Sequence, residues 1–281
     1  MNQSPDCFAP STTEWQDLYI RVVKLETDLT TGACGKVPPF PPHKYAELMG
    51  NVNVRRVDLG NVAGITIPLF DSYLVKVNAK HQPVRQNFTL AHELAHILIQ
   101  EGSGVSRIGV TTRGPTKPTG RDLERLCDSV AAELLMPQDT FRKHLQVQGL
   151  SMNALDALSG RFETSREATA KRMSEVSDEP CLCVCWKLAR QRGAITLPCS
   201  VWSTNRLDIQ SRVATGVKVG SSVPANSSIS SAFVQPEVTR GFEALQLGST
   251  KKRVYVESKG LGQGEDRRVL SLVFPGGKEK L

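Results

Sequence analysis

The sequence lacks the features that would place the chain in a membrane or outside the cell. No apolar run among its 281 residues approaches the ~20 residues that a membrane-spanning helix needs. The first ten residues, MNQSPDCFAP, have neither a basic start nor an apolar core, so they do not predict a secretory signal. Seven cysteines, an odd number without framework-like spacing, favour free thiols over a disulfide scaffold. We therefore expect a cytoplasmic protein with no membrane partner.

The composition excludes a fibrous chain and a wholly disordered one. Hydrophobic residues make up 40% of the chain and charged residues 22%, which is ordinary for a globular protein. The net charge is +7, and residues 181–281 contain 15 Lys and Arg against 7 Asp and Glu, so the basic excess lies in the last third. Such a region suits nucleic acid or an acidic protein surface, although a solvated basic surface is the favoured explanation.

Hydrophobic periodicity predicts an α+β protein in three parts. Residues 1–137 are expected to contain a helix at 11–33, three strands within 51–78, and helices at 86–101 and 121–135 joined by a Gly- and Pro-rich loop. Residues 138–178 are predicted to form a small module of three short helices. Residues 179–281 have the short alternating segments of a β-rich domain. The length of the chain agrees with two or three domains.

The motif that carries chemistry is His92-Glu93-Leu94-Ala95-His96. Residues four apart lie on one face of a helix, one turn above the other, so both imidazoles can reach one tetrahedral metal ion. Glu93 follows the first histidine, where a carboxylate can take a proton from a water molecule that the metal activates. Two core histidines satisfied by hydrogen bonds are the alternative, but that reading leaves a glutamate unexplained in an otherwise apolar helix.

The next predicted helix offers a third ligand. Glu124 and Asp128 are four apart and share a face, which fits a carboxylate ligand followed by a carboxylate that orients a histidine through its other ring nitrogen. Glu133 is the weaker candidate on the same helix. A surface side chain or an ion pair is the alternative for each of them.

The two halves of this constellation resemble the ImmA/IrrE family of bacterial zinc metallopeptidases. The resemblance rests on residues 85–96 (RQNFTLAHELAH), 124–128 (ERLCD) and 131–137 (AAELLMP), and it extends weakly to 150–173, where a helix-turn-helix often follows. It implies one zinc ion bound by His92, His96 and Glu124, with Glu93 as the catalytic base. Where many relatives have Ala-Asn, this chain has Cys127-Asp128.

The resemblance also implies a function. Members of the family cleave helix-turn-helix repressors or relieve repression by them, often in damage responses, and some have a C-terminal sensor-like domain that resembles a GAF fold. We therefore expect a zinc metalloendopeptidase that regulates transcription by cutting a specific protein, with a protein substrate as its partner. The alternative is a non-catalytic regulator that contains a metal and binds a repressor or DNA.

Three further interpretations depend on the fold. A recognition helix near residue 166 would present Ser165, Arg166, Thr169, Lys171 and Arg172 to DNA, although residues 138–178 hold six basic and six acidic side chains. Cys181, Cys183 and Cys185 alternate on a predicted strand, where buried side chains are favoured over metal binding. A substrate strand is expected to pair with a sheet edge near Tyr73–Asn78.

Overall fold

The structure is a computed structural model that describes residues 37–102, 120–190, 196–204, 206–208 and 213–277, together with Lys24. The predicted loop at 102–120 and the predicted helix at 11–33 lie almost wholly outside these ranges. In the described part of the chain, no helix is long and apolar enough to cross a membrane.

The chain divides into two compact units. One contains residues 9–141 and 159–165, and the other contains residues 1–8, 142–158 and 166–281. This division assigns parts of residues 138–178 to both units, so the separate helical module expected from the sequence stays a prediction. The mixed helices and sheets confirm the α+β class.

The N-terminal unit combines helices with a three-stranded sheet. Its main elements are α1 (Pro42–Met49), β1 (Val52–Val57), β2 (Gly64–Pro68), β3 (Tyr73–Asn78), α2 (Pro83–Gly102) and α3 (Arg121–Leu135). The strand order is β1-β3-β2, with β1 parallel and β2 antiparallel to β3. The three strands and two long helices fall where the sequence predicts them, and Pro83 extends the start of α2 because proline suits the first helical turn.

The sheet order corrects one expectation. Strand β3, where a substrate strand was expected to pair, is the central strand and bonds to β1 on one side and β2 on the other. Its inward side chains Tyr73, Val75 and Val77 are buried, as a central strand requires. The prediction of a free edge at Tyr73–Asn78 is therefore wrong, because alternation reveals a half-buried strand but not its position in the sheet.

Helices α2 and α3 pack on each other, and α2 also contacts β2 and β3. Leu90, Leu94 and Ile97 of α2 are almost fully buried, and so are Ala131 and Leu134 of α3. The Tyr45 hydroxyl on α1 donates to the carbonyl oxygen of Leu134 at 2.8 Å. This apolar packing fixes the rotation of both helices, and with it the direction in which their polar residues point.

The C-terminal unit is built on an antiparallel five-stranded sheet in the order β5-β4-β10-β9-β8. Its elements are most of α4 (Gln138–Gln148), half of α5 (Ala154–Phe162), α6 (Arg166–Val176), β4 (Leu182–Arg190), β5 (Thr196–Ser203), β6 (Arg206–Asp208), β7 (Val213–Thr215), α7 (Ser228–Ser231), β8 (Thr239–Leu247), β9 (Thr250–Leu261) and β10 (Arg268–Phe274). Helix α6 contacts β4 and β10. Trp186, Val256 and Val273 belong to the apolar core of this unit.

Candidate metal centre

The centre of interest is one turn of α2 that carries two histidines. His92 and His96 lie one turn apart, and their side chains are 18% and 28% exposed. Their ring centroids are 4.9 Å apart, and their two Nε2 atoms are separated by 3.1 Å. Because the apolar faces of α2 are buried in the unit, both rings emerge on the side that faces α3.

Glu124 of α3 completes the group around the Nε2 atoms. Its Oε2 lies 3.1 Å from Nε2 of His92, and its Oε1 lies 3.7 Å from Nε2 of His96. The structure thus brings together the three side chains that the sequence predicts as ligands. Two imidazole nitrogens and a carboxylate are a set of donors that suits zinc.

Asp128 holds the other side of the His92 ring. Its Oδ1 lies 2.9 Å from Nδ1 of His92. A carboxylate in this contact accepts a hydrogen bond, so Nδ1 carries the proton and the Nε2 lone pair of a neutral ring faces Glu124 and His96. The lone pair of His92 Nε2 and the carboxylate of Glu124 thus face the same point, where a metal ion could accept both.

The pKa of His92 reflects the same arrangement. The hydrogen bond to Asp128 raises this pKa above its ordinary value of 6.5, and the carboxylates of Asp128, Glu124 and Glu93 act in the same direction, while burial opposes them. The negative surroundings of the ring therefore attract positive charge. A site with this electrostatic character fits a divalent cation.

Cys127 is a contact that the sequence interpretation missed. Its side chain is fully buried, and its Sγ lies 3.4 Å from Nδ1 of His96. Burial, followed by the nearby carboxylates, raises the pKa of the Cys127 thiol to about 12, so the thiol stays protonated at neutral pH in the metal-free protein. Its spacing from Glu124, three residues along α3, places it on the ligand face and could have signalled the contact.

Cys127 also belongs to a second possible donor set. One ligand atom each from His92, His96 and Cys127 lies within 4.8 Å of the others. However, Cys127 contacts the Nδ1 edge of His96, whereas Glu124 lies on the Nε2 side, where the two histidines approach each other. The Nε2 side gathers more donors, so we favour Glu124 over Cys127 as the third ligand.

Glu93 lies on the same turn but faces a different neighbour. Its Oε2 accepts a hydrogen bond from the Thr66 hydroxyl of β2 at 2.6 Å. The candidate base therefore contacts the sheet, while the two histidines contact α3. Thr66 was not predicted as a site residue, although a lone hydroxyl between Ile65 and Ile67 on β2 is a visible signal.

The remaining candidates lie elsewhere or are buried. Glu133 accepts a hydrogen bond from the backbone N–H of Gln138 at 2.8 Å, which ties it to the start of α4. On α6, Thr169 and Arg172 are buried, so two residues of the expected DNA-reading surface are unavailable to a groove. Cys181, just before β4, and Cys183 and Cys185 on it are buried thiols that, among the described residues, form no group with metal-binding spacing.

Comparison with known proteins assigns a family to the segment that contains this site. Residues 51–174 match the profile of peptidase family M78, described as the IrrE N-terminal-like domain, and this segment contains α2, α3 and the whole histidine and carboxylate group. Residues 51–174 belong to the ImmA/IrrE family. The resemblance noted in the sequence is thereby confirmed, and the family is one of metallopeptidases.

Two curated ImmA/IrrE relatives are radiation response metalloproteases named IrrE. The protein from Deinococcus radiodurans is 28% identical over 171 residues, which cover 59% of this chain and 51% of that protein. The protein from Deinococcus deserti is 25% identical over 184 residues, which cover 65% of this chain and 63% of that protein. The chain thus spans between half and two thirds of the length of these relatives.

A solved structure resembles the fold over a longer stretch. It is a Mycobacterium tuberculosis transcriptional regulator with a TM-score of 0.54 and 16% sequence identity, and the match covers 92% of this chain and 76% of that one. At this identity the likeness concerns the fold alone.

Proposed function

We propose that the chain is a zinc-dependent metalloendopeptidase that hydrolyses a peptide bond in a specific protein substrate. The observation that carries the proposal is the meeting of His92 Nε2, His96 Nε2 and the Glu124 carboxylate beside Glu93. Membership of residues 51–174 in a metallopeptidase family supports it.

His92, His96 and Glu124 would hold one zinc ion. Three protein ligands leave a tetrahedral ion with an open position, which is typical of catalytic rather than structural zinc sites. When bound, zinc would supply a Lewis acid that polarises the scissile carbonyl and lowers the pKa of a water molecule. Asp128 and Cys127 keep the two rings turned so that their Nε2 atoms face Glu124.

Glu93 acts as the general base and then as the general acid. Its carboxylate takes a proton from the attacking water as the water oxygen bonds to the carbonyl carbon. The same carboxylic acid then delivers the proton to the departing amide nitrogen as the C–N bond breaks. The carboxyl and amine products of the cut then leave, and Glu93 returns to its ionised form.

The substrate aligns along strand β2. This strand pairs with β3 on one side, and within the described ranges no strand pairs with its other side. Thr66 of β2 contacts Glu93, so an extended peptide added to this edge would run close to the base. The edge at β2 replaces the one expected at β3.

The substrate class is a helix-turn-helix repressor, whose cleavage changes gene expression. The names of the two IrrE relatives, radiation response metalloproteases, support a role in a stress response. The zinc chemistry acts on any peptide bond, so discrimination must come from surfaces that dock the partner. The cytoplasm is the proposed compartment.

A cleavage assay tests this proposal. The full-length chain is loaded with zinc and incubated with a helix-turn-helix repressor encoded beside its gene, and the products are identified by mass spectrometry. We expect one main cut, slow digestion of casein, and a loss of about 10²–10⁴-fold in rate for Glu93→Gln with zinc content unchanged. Equal biological activity of Glu93→Gln and the native chain would favour the non-catalytic regulator, and rapid casein digestion would indicate a general peptidase.

Nucleic-acid binding is a second candidate function, favoured by a surface on the five-stranded sheet. We call it the β8–β9 surface and define it by Arg240, Phe242, Lys251, Arg253 and Tyr255, which alternate outward on two paired strands. Phe242 is 57% exposed, with its ring centroid 5.5 Å from that of Tyr255 and 4.9 Å from the Arg253 guanidinium carbon. An exposed aromatic ring such as Phe242, with the partly buried Tyr255 and basic side chains around it, suits bases and phosphates.

Binding of a labelled oligonucleotide to the full-length chain tests this candidate. Affinity should fall steeply with salt, and Arg253→Glu and Phe242→Ser should weaken it much more than Arg55→Glu, a matched charge change at an exposed position of the N-terminal unit. Equal affinities of all these variants would remove the β8–β9 surface from consideration.

A further inference from the structure

We propose that Thr66 is a positioning residue that holds the Glu93 carboxylate in place for catalysis. The inference deepens the proposed function and rests on it. The Thr66 hydroxyl donates to Oε2 of Glu93 at 2.6 Å, within the short range that is typical of a hydroxyl bound to an ionised carboxylate. No other hydrogen bond to this carboxylate occurs among the described residues.

Gly64 lets β2 come close enough to make that contact. A Cβ atom at Gly64 would lie 2.5 Å from Cγ2 of Thr89 and 2.9 Å from Oε1 of Glu93. Contacts this short would force α2 and β2 apart or displace the glutamate. A side chain at position 64 is therefore incompatible with the observed position of Glu93.

Gly64 and Thr66 lie beside different oxygens of the Glu93 carboxylate. They are two apart on β2, so they share the face of the strand that points to α2. Thr66 binds Oε2, while Oε1 and Cγ lie over the bare backbone of Gly64. The Glu93 side chain is thus held at the strand on one side, while α3 contacts the neighbouring histidines on the other.

Holding the carboxylate matters because a glutamate side chain has three rotatable bonds. A free side chain would sample positions that are useless for proton transfer, and displacement by about 1 Å can cost about 10²-fold in rate. A base held by one hydrogen bond reaches the water in the same geometry at each turnover. This role concerns the rate of the chemical step and not the binding of zinc or substrate.

Two substitutions at one position separate this role from simple packing of β2 on α2. Thr66→Val keeps the shape and removes the hydroxyl, whereas Thr66→Ser keeps the hydroxyl. We expect Thr66→Val to lower kcat by about 10-fold or more with KM little changed, and Thr66→Ser to retain most of kcat. Zinc content and thermal unfolding of both variants should match the native chain. A Thr66→Val variant with native kcat would overturn the proposal.

A structural readout keeps the test independent of the reaction. In crystals of Thr66→Val, the Glu93 carboxylate should have left its position at β2, and in Thr66→Ser it should remain there. An unmoved Glu93 in Thr66→Val overturns the positioning role even if the native chain is active. If Glu93 is displaced in Thr66→Val but the native chain cleaves no partner, the result supports the contact between Thr66 and Glu93. The same result counts against the proposed peptidase activity.

Gly64→Ala gives a second test, because position 64 lies beside Oε1 of Glu93, whereas Thr66 binds Oε2. Its added methyl group should displace Glu93 and lower kcat while the histidine pair still binds zinc, as measured by metal analysis of the folded variant. Native kcat in this variant would contradict the close fit at β2. If Gly64→Ala does not fold, the two Thr66 variants decide the question.

Discussion

Within the described ranges, two regions contain several side chains of types that can ligate metals, and one of the two arranges them around a point. On α2, His92 and His96 bring their Nε2 atoms to 3.1 Å, with Glu124 next to both. Cys181 lies just before β4, Cys183 and Cys185 lie two apart on it, and all three are almost fully buried. Residues two apart on a strand are separated by about 6.6 Å, and among the described residues these thiols form no group with metal-binding spacing.

The two regions also differ in charge. The carboxylates of Asp128, Glu124 and Glu93 surround His92 and raise its pKa, so that region favours a cation. Burial raises the pKa of the Cys183 thiol well above its ordinary range, so that region favours a neutral side chain. A metal site therefore needs converging side chains and retained negative charge, and a list of suitable residue types is insufficient.

The largest expected effect is on bound metal. His92→Ala or His96→Ala should lose nearly all bound zinc, because each removes one of three donors. Cys183→Ser should keep the full zinc content and change only stability, because that thiol lies in apolar packing. Metal analysis of the purified variants measures both, and loss of zinc from Cys183→Ser would break the contrast between the two regions.

The next effect separates Glu124 from Cys127 as the third ligand. Glu124→Gln should lose most bound zinc, whereas Cys127→Ser should retain it. In the cobalt-substituted native chain we expect no sulfur-to-cobalt charge-transfer band, since Cys127 lies at Nδ1 of His96 and not among the Nε2 atoms. Full zinc occupancy in Glu124→Gln, or a strong charge-transfer band, would assign the third position to Cys127.

A smaller effect is expected at Asp128, which orients His92 without touching the ion. Asp128→Ala should weaken zinc affinity by about 10–100-fold, as removal of a partner of a histidine ligand commonly does. Asp128→Asn keeps an acceptor for the ring and should lose less. Competition with a chelator of known affinity measures the constants. Native affinity in Asp128→Ala would show that the contact at 2.9 Å is dispensable.

The smallest effect concerns the pH dependence of the metal-free protein. Because Asp128 raises the pKa of His92 above 6.5, the pair stabilises the fold fully below that value and loses this contribution as pH rises through the raised pKa. The native chain should therefore exceed Asp128→Asn in Tm at about pH 6, and the difference should shrink toward pH 8.5. Thermal unfolding of chelator-treated protein checks this. A difference in Tm that grows with pH would contradict the prediction.

Much of the site was predictable because helical spacing is local. The interval between His92 and His96, and the interval between Glu124 and Asp128, place each pair on one helix face whatever the rest of the chain does. The bounds of α3 follow from its apolar periodicity in the same way, whereas α2 begins three residues earlier than predicted, at Pro83. Zinc binding and the roles of these residues stay predictions that the variants above test.

Other features depend on partners that are distant in sequence. The order β1-β3-β2 places β2, and not β3, at the sheet edge. Thr66 contacts Glu93, which is 27 residues away in the sequence, and Cys127 contacts His96, which is 31 residues away. Thr169 and Arg172 look available to DNA on a helical wheel, but the folded chain buries both of them.

The sequence alone therefore determined the helices, their ligand faces and the chemistry of the residues on them. The tertiary structure decided which neighbours hold those residues: α3 for the histidines and β2 for the base. The physical reason is the distance in sequence over which each effect acts. Backbone periodicity relates residues within one or two helical turns. The order of strands and the contacts between elements arise only when the apolar faces pack together.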